Sequence, residues 1–329
     1  MVKPRPVRLA LALSPLLLAL AAPSRSATSE WAVHPQVRAR LLTARTVAAP
    51  GEPLLAGIEF ALAPGWHAYW KNSGDAGFAP RVDFRSSEGL ARSELRWPAP
   101  RRFQVRGGLQ AFGYEHDVIY PVEIGIAAGA PRLALRAALD YVVCAEECVP
   151  YRDTLELAQP LGATPSGDPA AEPALVAAFS SVPTPVEQAH LVATATLTRP
   201  QPGRGELEIV LRGAQPALAG GADLFLESSD LFDAATPQID TLPDALRFRV
   251  ALTWKRADVA PPAVFTVAWV ATGLAPPAPA AVSGRTRVAG GTAGGALSWL
   301  FVLPFIAVAL VFLWLLRAAR AHRTARPEE

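Results

Sequence analysis

Residues 133–150 read Leu133-Ala-Leu-Arg-Ala-Ala-Leu-Asp-Tyr-Val-Val-Cys144-Ala-Glu-Glu-Cys148-Val-Pro150, and this stretch decides the class of fold. Before Cys144 the apolar residues recur on alternate positions, which is the period of a β-strand and leaves little room for a long amphipathic helix. Residues 149–157 can return as the next strand, so both cysteines would lie at the neck of a short hairpin loop. A disulfide requires Cα atoms about 4.4–6.8 Å apart, which such a hairpin allows.

Short segments of the same kind, bounded by Gly and Pro, recur through most of the chain at intervals of about 10 residues. This spacing favours antiparallel sandwiches over alternating strands and helices. We therefore predict an all-β fold with two consecutive β-sandwich domains, followed by one C-terminal transmembrane helix. The predicted strands are 37–42, 54–62, 120–127, 132–143 and 153–158 in the first domain, and 191–198, 205–212, 222–227, 245–254 and 264–270 in the second.

Both ends of the chain carry membrane signals. Lys3, Arg5 and Arg8 precede an apolar run of about a dozen residues, which is too short to span a bilayer and is typical of a signal peptide. Residues 297–316 carry no charge over about 20 positions, the length of a membrane-spanning helix. Arginines follow in residues 317–329, so the positive-inside rule places this tail in the cytoplasm and the domains on the other side.

Clusters of Pro and Gly divide the chain between these signals. The predicted parts are a signal peptide (1–26), a first β-sandwich (28–160), a Pro/Ala linker (161–185), a second β-sandwich (186–273), a Pro/Gly-rich tether (274–295), a transmembrane helix (296–316) and a basic tail (317–329). A short helix is also predicted at residues 174–181, before Pro183.

The charge of the predicted exported part excludes one class of partner. The whole chain has a formal net charge of +2, but residues 28–296 hold 23 Lys and Arg against 27 Asp and Glu. A nucleic-acid-binding protein would be expected to present a basic face. We therefore expect no nucleic-acid partner.

Cys144 and Cys148 are the only cysteines of the chain. An even pair in an oxidising compartment predicts a disulfide, which is either a structural staple or a working redox couple. Closing so small a ring stabilises the fold by only about 2 kcal/mol, which tilts the interpretation towards function without excluding the staple. Glu146 and Glu147 between the cysteines are expected to raise the pKa of the thiols, so that the pair acts as an acceptor attacked by a more reactive thiolate. Asp140 is a further candidate for tuning the pair.

Four motifs in order resemble the N-terminal domain of DsbD-type thiol:disulfide interchange proteins, and most closely the ScsB-like branch, whose cysteines are also separated by three residues. The motifs are Gly65-Trp-His-Ala-Tyr-Trp-Lys-Asn-Ser-Gly-Asp75, Trp97-Pro-Ala-Pro-Arg-Arg-Phe103, Phe112-Gly-Tyr-Glu115 and Asp140-Tyr-Val-Val-Cys144-Ala-Glu-Glu-Cys148-Val-Pro150. The resemblance covers residues 31–160. It implies an immunoglobulin-like sandwich, and the second predicted domain is expected to share that architecture.

The resemblance also implies a function. Cys144 and Cys148 would be the redox pair, and Phe112, Gly113 and Tyr114 would form an aromatic cap loop that shields the disulfide. Electrons would come from a polytopic membrane thiol reductase and pass to periplasmic thioredoxin-like proteins, in disulfide reduction or cytochrome c biogenesis. DsbD-like proteins continue into many membrane helices with their own cysteines, whereas this chain has no third cysteine. Either a separate membrane reductase supplies the electrons, or the relay function has been lost or repurposed. We expect an inner-membrane location with the domains in the periplasm.

Other chemistries have less support. His67 and His116 could join the cysteines in a soft-metal site, but the scattered histidines and single methionine argue against it. No hydrolase triad or phosphate-binding loop is present in the sequence, and we expect no cofactor and no metal. Two functions remain: a membrane-anchored electron relay, and a non-catalytic BatD-like or assembly adaptor whose disulfide is a staple.

Overall fold

The computed structural model describes residues 27–201, 203–217, 221–227, 230–256 and 264–289. These residues form strands and one short α-helix, which confirms the all-β prediction. The predicted signal peptide, transmembrane helix and basic tail lie outside the described residues. Within the described ranges, no helix has the length and hydropathy that a membrane span needs.

The part of the chain up to the α-helix is called the first block here. Its elements are Ala32–Val33 (β1), Val37–Thr43 (β2), Arg45–Val47 (β3), Pro53–Leu62 (β4), Ala68–Gly74 (β5), Arg81–Asp83 (β6), Leu90–Leu95 (β7), Arg101–Val105 (β8), Leu109–Tyr114 (β9), Val118–Ile126 (β10), Leu133–Cys144 (β11), Cys148–Gln159 (β12), Ser166–Gly167 (β13) and Ala171–Ser180 (α1).

Two antiparallel sheets enclose the core of the first block. One has the order β1-β2-β4-β10-β7, and the other has the order β12-β11-β6. Alternate residues of β11 point into the core, where Tyr141 packs against Phe60 with ring centroids 4.6 Å apart. Phe60 also makes an edge contact with Tyr120 at 5.3 Å. Burying such rings contributes on the order of 1.5–3 kcal/mol each, which makes this aromatic cluster a main source of stability.

A third sheet, β5-β9-β8, lies across the end of β11. It is joined to β11 by a bridge between His67, just before β5, and Cys144. Strands β8 and β9 form a hairpin whose turn contains Gly107 and Gly108 at φ 83° and 77°. Glycine suits these positions because a side chain disfavours positive φ. The hairpin is therefore held over the cysteine end of β11.

The segment predicted as a linker contains an α-helix that packs against the first block. Helix α1 buries Leu175 completely, against Leu42 and the partly buried Ile119 of the first block. Asp168 caps the helix, since its Oδ1 accepts hydrogen bonds from the backbone N–H groups of Ala170 and Ala171 at 2.9 and 2.8 Å. The apolar face and the cap explain why residues 171–180 pack as a helix within a Pro-rich stretch.

The second block follows α1. Its strands are Thr184–Pro185 (β14), Val192–Gln201 (β15), Arg204–Arg212 (β16), Asp223–Leu226 (β17), Phe232–Ala234 (β18), Gln238–Thr241 (β19), Ala245–Trp254 (β20), Val264–Thr272 (β21) and Ala281–Ala289 (β22). They form the sheets β14-β22-β21-β17 and β15-β16-β20-β18, and β19 also pairs with β20. Residues of both sheets, including Ile209, Phe248 and Trp269, share a second core.

Strand β22 lies in the segment predicted as a tether. It pairs with β21 along its whole length, and it fully buries Val282 and Val288. The second block therefore extends to Ala289, beyond the predicted boundary at 273. The apolar residues that β22 contributes to the core outweigh the flexible composition of the surrounding sequence.

Strand β17 belongs to both cores. Leu224 and Leu226 point into the core of the second block. Phe225, between them, points the other way into the core of the first block. The two-residue period of a strand makes this division possible, so β17 is the structural link between the blocks.

Candidate functional site

Cys144 and Cys148 form a disulfide at the end of the β11–β12 hairpin. They lie directly opposite each other in the strand register, with Cα atoms 4.1 Å apart. Residues 145–147 make the loop between them. The structure thus confirms the predicted hairpin and brings the two sulfurs together at its neck.

The two cysteines differ in exposure. Cys144 is 2% exposed, whereas Cys148 is exposed to solvent. Thiol–disulfide exchange begins with attack of a thiolate on one sulfur, so access selects which sulfur is attacked. Cys148 is therefore the more accessible of the two cysteines.

An apolar cluster covers Cys144. Upstream on the same face of β11, Arg136 and Asp140 are exposed, but Val142 and Cys144 are buried. The change occurs because the β5-β9-β8 sheet crosses this end of the strand. The covering side chains are Tyr69 and Ala111, with the partly buried Phe103 and Val105 packed on them. Cys144 is therefore shielded by residues from three strands that are distant in sequence.

His67 and Tyr69 form a polar pair beside this cluster. The Nε2 atom of His67 lies 3.1 Å from the hydroxyl oxygen of Tyr69, and the His67 ring makes an edge contact with Phe103 at 4.8 Å. Burial lowers the pKa of His67, which is 6% exposed, and raises the pKa of Tyr69 to about 12. Both side chains are therefore neutral at neutral pH, so they add no charge next to the buried sulfur.

The residues predicted as a cap loop lie on β9 of the covering hairpin. Phe112 contacts Phe225 of the second block with ring centroids 5.3 Å apart, and the Arg102 guanidinium lies 4.6 Å from the Phe112 ring centroid. Gly113 pairs with Tyr69 on β5 and with Arg101 on β8.

Tyr114 is buried, and its hydroxyl donates a hydrogen bond to the carbonyl oxygen of Pro98 at 2.9 Å. The side chains packed in the Cys144 cluster come instead from Phe103 and Val105 on β8 and Ala111 on β9. The shielding role of Phe112, Gly113 and Tyr114 stays a prediction. Sequence analysis missed Phe103 as a covering residue, although it ends one of the quoted motifs.

The acidic residues predicted to tune the pair lie at different distances from it. Glu146 and Glu147 are exposed in the loop between the cysteines. Asp140 accepts a hydrogen bond from Nε of Arg152 at 2.5 Å, and it lies roughly 13 Å from Cys144 along the strand. Their effect on the pair stays a prediction.

In the part of the chain that the structure describes, no group of three or more His, Cys, Asp or Glu residues is arranged to hold a metal ion. His67 instead contacts Tyr69 and Phe103, and both cysteine sulfurs are bonded to each other.

Comparison with known proteins identifies the class of this domain. Residues 38–160 match the family described as thiol:disulfide interchange protein DsbD, N-terminal. This part of the chain is thus a thiol:disulfide interchange-type domain, with its cysteine pair present as a disulfide. In particular, the match is to the N-terminal domain of DsbD, which confirms the resemblance that the four motifs predicted.

The fold of the chain is similar to a crystal structure of the N-terminal periplasmic domain of ScsB from Proteus mirabilis. The TM-score is 0.63 and the sequence identity is 19%, and the match covers 81% of this chain and 100% of that chain. The similarity of fold therefore extends beyond residues 38–160 into the second block. No curated relative matches the chain by sequence.

Proposed function

We propose that this chain is a membrane-anchored periplasmic thiol–disulfide interchange protein. Its Cys144–Cys148 pair relays electrons from a polytopic membrane thiol reductase to periplasmic thioredoxin-like proteins. The observation that carries the proposal is a disulfide between one exposed and one buried cysteine, in a domain that matches the DsbD N-terminal family.

The exposure difference supports a defined reaction order. A thiolate of the electron donor attacks Sγ of Cys148, the bond between Cys148 and Cys144 breaks, and Cys144 leaves as a thiolate that takes a proton from solvent. The second thiolate of the donor then attacks the donor sulfur of the mixed disulfide and releases Cys148 as a thiolate, which also takes a proton from solvent. The donor is oxidised to a disulfide and the pair is reduced to two thiols. Transfer to an oxidised acceptor follows the same steps in reverse.

The burial of Cys144 also supports a relay. After exchange at Cys148, the released sulfur stays under the cover formed by Tyr69, Phe103 and Ala111. Stray thiols have poor access to it there, whereas it remains close to Cys148 across the hairpin. A staple would need neither the exposure difference nor the cover, and so small a ring adds only about 2 kcal/mol of stability.

The location is supported by the two ends of the sequence. A signal peptide would export the domains, and residues 297–316 would anchor them with the basic tail inside. The similar ScsB structure is described as that of a periplasmic domain. An exported position supplies the oxidising environment in which the pair would cycle.

The decisive experiment is the reduction potential of the Cys144–Cys148 pair in the detergent-solubilised full chain. The protein is equilibrated with graded thiol buffers, and free thiols are counted by mass-tagging, with Cys148→Ser as the variant that lacks the couple. A relay predicts a potential between about −180 and −280 mV. A value well below about −300 mV, or a bond reduced only on unfolding, would overturn the proposal and favour the structural-disulfide adaptor.

A further inference from the structure

The β8–β9 hairpin has two functional faces. Arg102 is paired with Phe112 across the two strands, and Phe103 is paired with Ala111. Because side chains alternate along a strand, each pair lies on its own face. Phe103 and Ala111 cover Cys144, whereas Arg102 and Phe112 face the second block.

An ion pair holds the outer face of the hairpin to β17. Nε of Arg102 donates to Oδ2 of Asp223 at 3.0 Å, and Nη2 donates to Oδ1 at 3.2 Å. The same Nη2 donates to the carbonyl oxygen of Leu224 at 2.9 Å. The side chains of Arg102 and Asp223 are only 14% and 26% exposed. A bidentate pair shielded in this way is stronger and more directional than an ordinary surface ion pair.

Aromatic packing reinforces this contact. Phe225 is 1% exposed, and its ring meets Phe112 at 5.3 Å and Trp70 at 6.1 Å in edge-to-face contacts. The Arg102 guanidinium lies over the same ring, 5.1 Å from its centroid. One residue of the second block therefore packs against β5, β8 and β9 together.

Strand β5, the hairpin's neighbour, is tied to β17 as well. Lys71 forms an ion pair with Glu227, which directly follows β17. Nδ2 of Asn72 donates to the carbonyl oxygen of Leu226 at 2.7 Å. The whole β5-β9-β8 sheet thus lies between the second block on one side and Cys144 on the other.

On the basis of the proposed exchange function, we infer that the second block is a clamp that controls how readily the β8–β9 hairpin uncovers Cys144. When Cys148 is attacked, Cys144 departs with a negative charge, which an apolar cover disfavours. Lifting the hairpin admits water to that sulfur and lowers the barrier. Arg102 and Asp223 are then positioning residues, since they act on the sulfur through Phe103 and Ala111.

The test compares variants of the full chain in the oxidised form. Asp223→Asn and Arg102→Lys each weaken the bidentate pair while leaving a hydrogen-bonding group in place. The matched control is Asp240→Asn, because Asp240 pairs with Arg249 at 3.2 Å within the second block, away from the hairpin. The readout is the rate at which dithiothreitol reduces the native disulfide, followed by quenched alkylation.

We expect reduction to become about tenfold faster in the two clamp variants, the factor that corresponds to about 1.4 kcal/mol of lost anchoring. The control should reduce at the wild-type rate. A merely structural contact would lower the free energy of unfolding without changing this native-state rate. Equal reduction rates in the wild type, the control and the two clamp variants would overturn the proposed role of the second block as a clamp.

Hydrogen exchange of residues 101–114 in the oxidised protein separates this inference from the proposed function. Faster exchange there in the clamp variants but not in the control would support the clamp, even if the wild-type disulfide proved too stable for a relay. Unchanged exchange together with a disulfide that is readily reduced would reject the clamp and leave the exchange function standing. Unchanged exchange with a bond that resists reduction would reject both.

Discussion

His67 and Cys144 exchange two backbone hydrogen bonds. The N–H of His67 donates to the carbonyl oxygen of Cys144 at 2.9 Å, and the N–H of Cys144 donates to the carbonyl oxygen of His67 at 3.1 Å. This bridge fixes the start of β5 to the end of β11, and β5 in turn pairs with the covering hairpin through β9. Cys144 is thus hydrogen-bonded to the sheet whose side chains cover it.

The exposure difference predicts that single-cysteine variants react unequally. Cys144→Ser leaves the exposed Cys148, and Cys148→Ser leaves the buried Cys144. We expect an aromatic disulfide reagent to label Cys148 at least about tenfold faster, because reaction requires access to the sulfur. Labelling in guanidinium is the control, since both variants should then react alike. Faster labelling of Cys144 in the native state would contradict the assigned order of attack.

The surroundings of Cys144 predict a weakly acidic thiol. Its neighbours around the disulfide are apolar or neutral, and the loop between the cysteines adds the carboxylates of Glu146 and Glu147. In Cys148→Ser, the rate of alkylation should therefore rise with a pKa above the ordinary value of about 8.5. Glu146→Gln combined with Glu147→Gln should shift that pKa downward. A thiol pKa well below the ordinary value would refute the hypothesis that the pair is an acceptor attacked by a more reactive thiolate.

Burial of His67 predicts a pH-dependent stability. Because its pKa is lowered by desolvation, the unfolded chain binds a proton near pH 6.5 before the folded protein does. The contribution of neutral His67 to the free energy of unfolding is therefore complete above about pH 6.5. It is lost as the pH falls from there through the folded-state pKa. Urea unfolding from about pH 7.5 to about pH 5 should show a smaller decline for His67→Gln than for wild type. His116→Gln, at an exposed position, is the control and should decline like wild type.

Gly113 is predicted to be intolerant of any side chain. A Cβ atom at this position would lie 2.0 Å from the carbonyl oxygen of Ala68, which is backbone of the neighbouring strand β5. Gly113→Ala should separate β5 from β9 and lower the free energy of unfolding by about 2–3 kcal/mol. The comparison variant is Gly205→Ala, whose nearest atoms are the side-chain ends of Leu197 and Trp254 at 3.1 and 3.5 Å. Chemical denaturation measures both, and equal losses would argue against a backbone clash at Gly113.

Local patterns predicted much of the first block. The alternation in residues 133–143 and the return of residues 149–157 were sufficient to predict β11, β12 and the hairpin that pairs Cys144 with Cys148. The motifs predicted the family. The short helix predicted at residues 174–181 is present as α1, at Ala171–Ser180. The packing of α1 and the existence of strand β22 were not predicted, because their burial depends on contacts with remote strands, and Pro and Gly in the surrounding sequence indicated a linker and a tether instead.

The sequence by itself determined the all-β class, the cysteine pair and the resemblance to the DsbD N-terminal family, because strand periodicity, turn residues and motif order are local properties. Only the tertiary structure decided that Cys144 is buried while Cys148 is exposed. That difference arises where Phe103 and Ala111 cross the end of β11, and Phe225 of the second block packs against the same hairpin. Contacts between segments so far apart in the sequence depend on how whole sheets pack, and no local pattern encodes them.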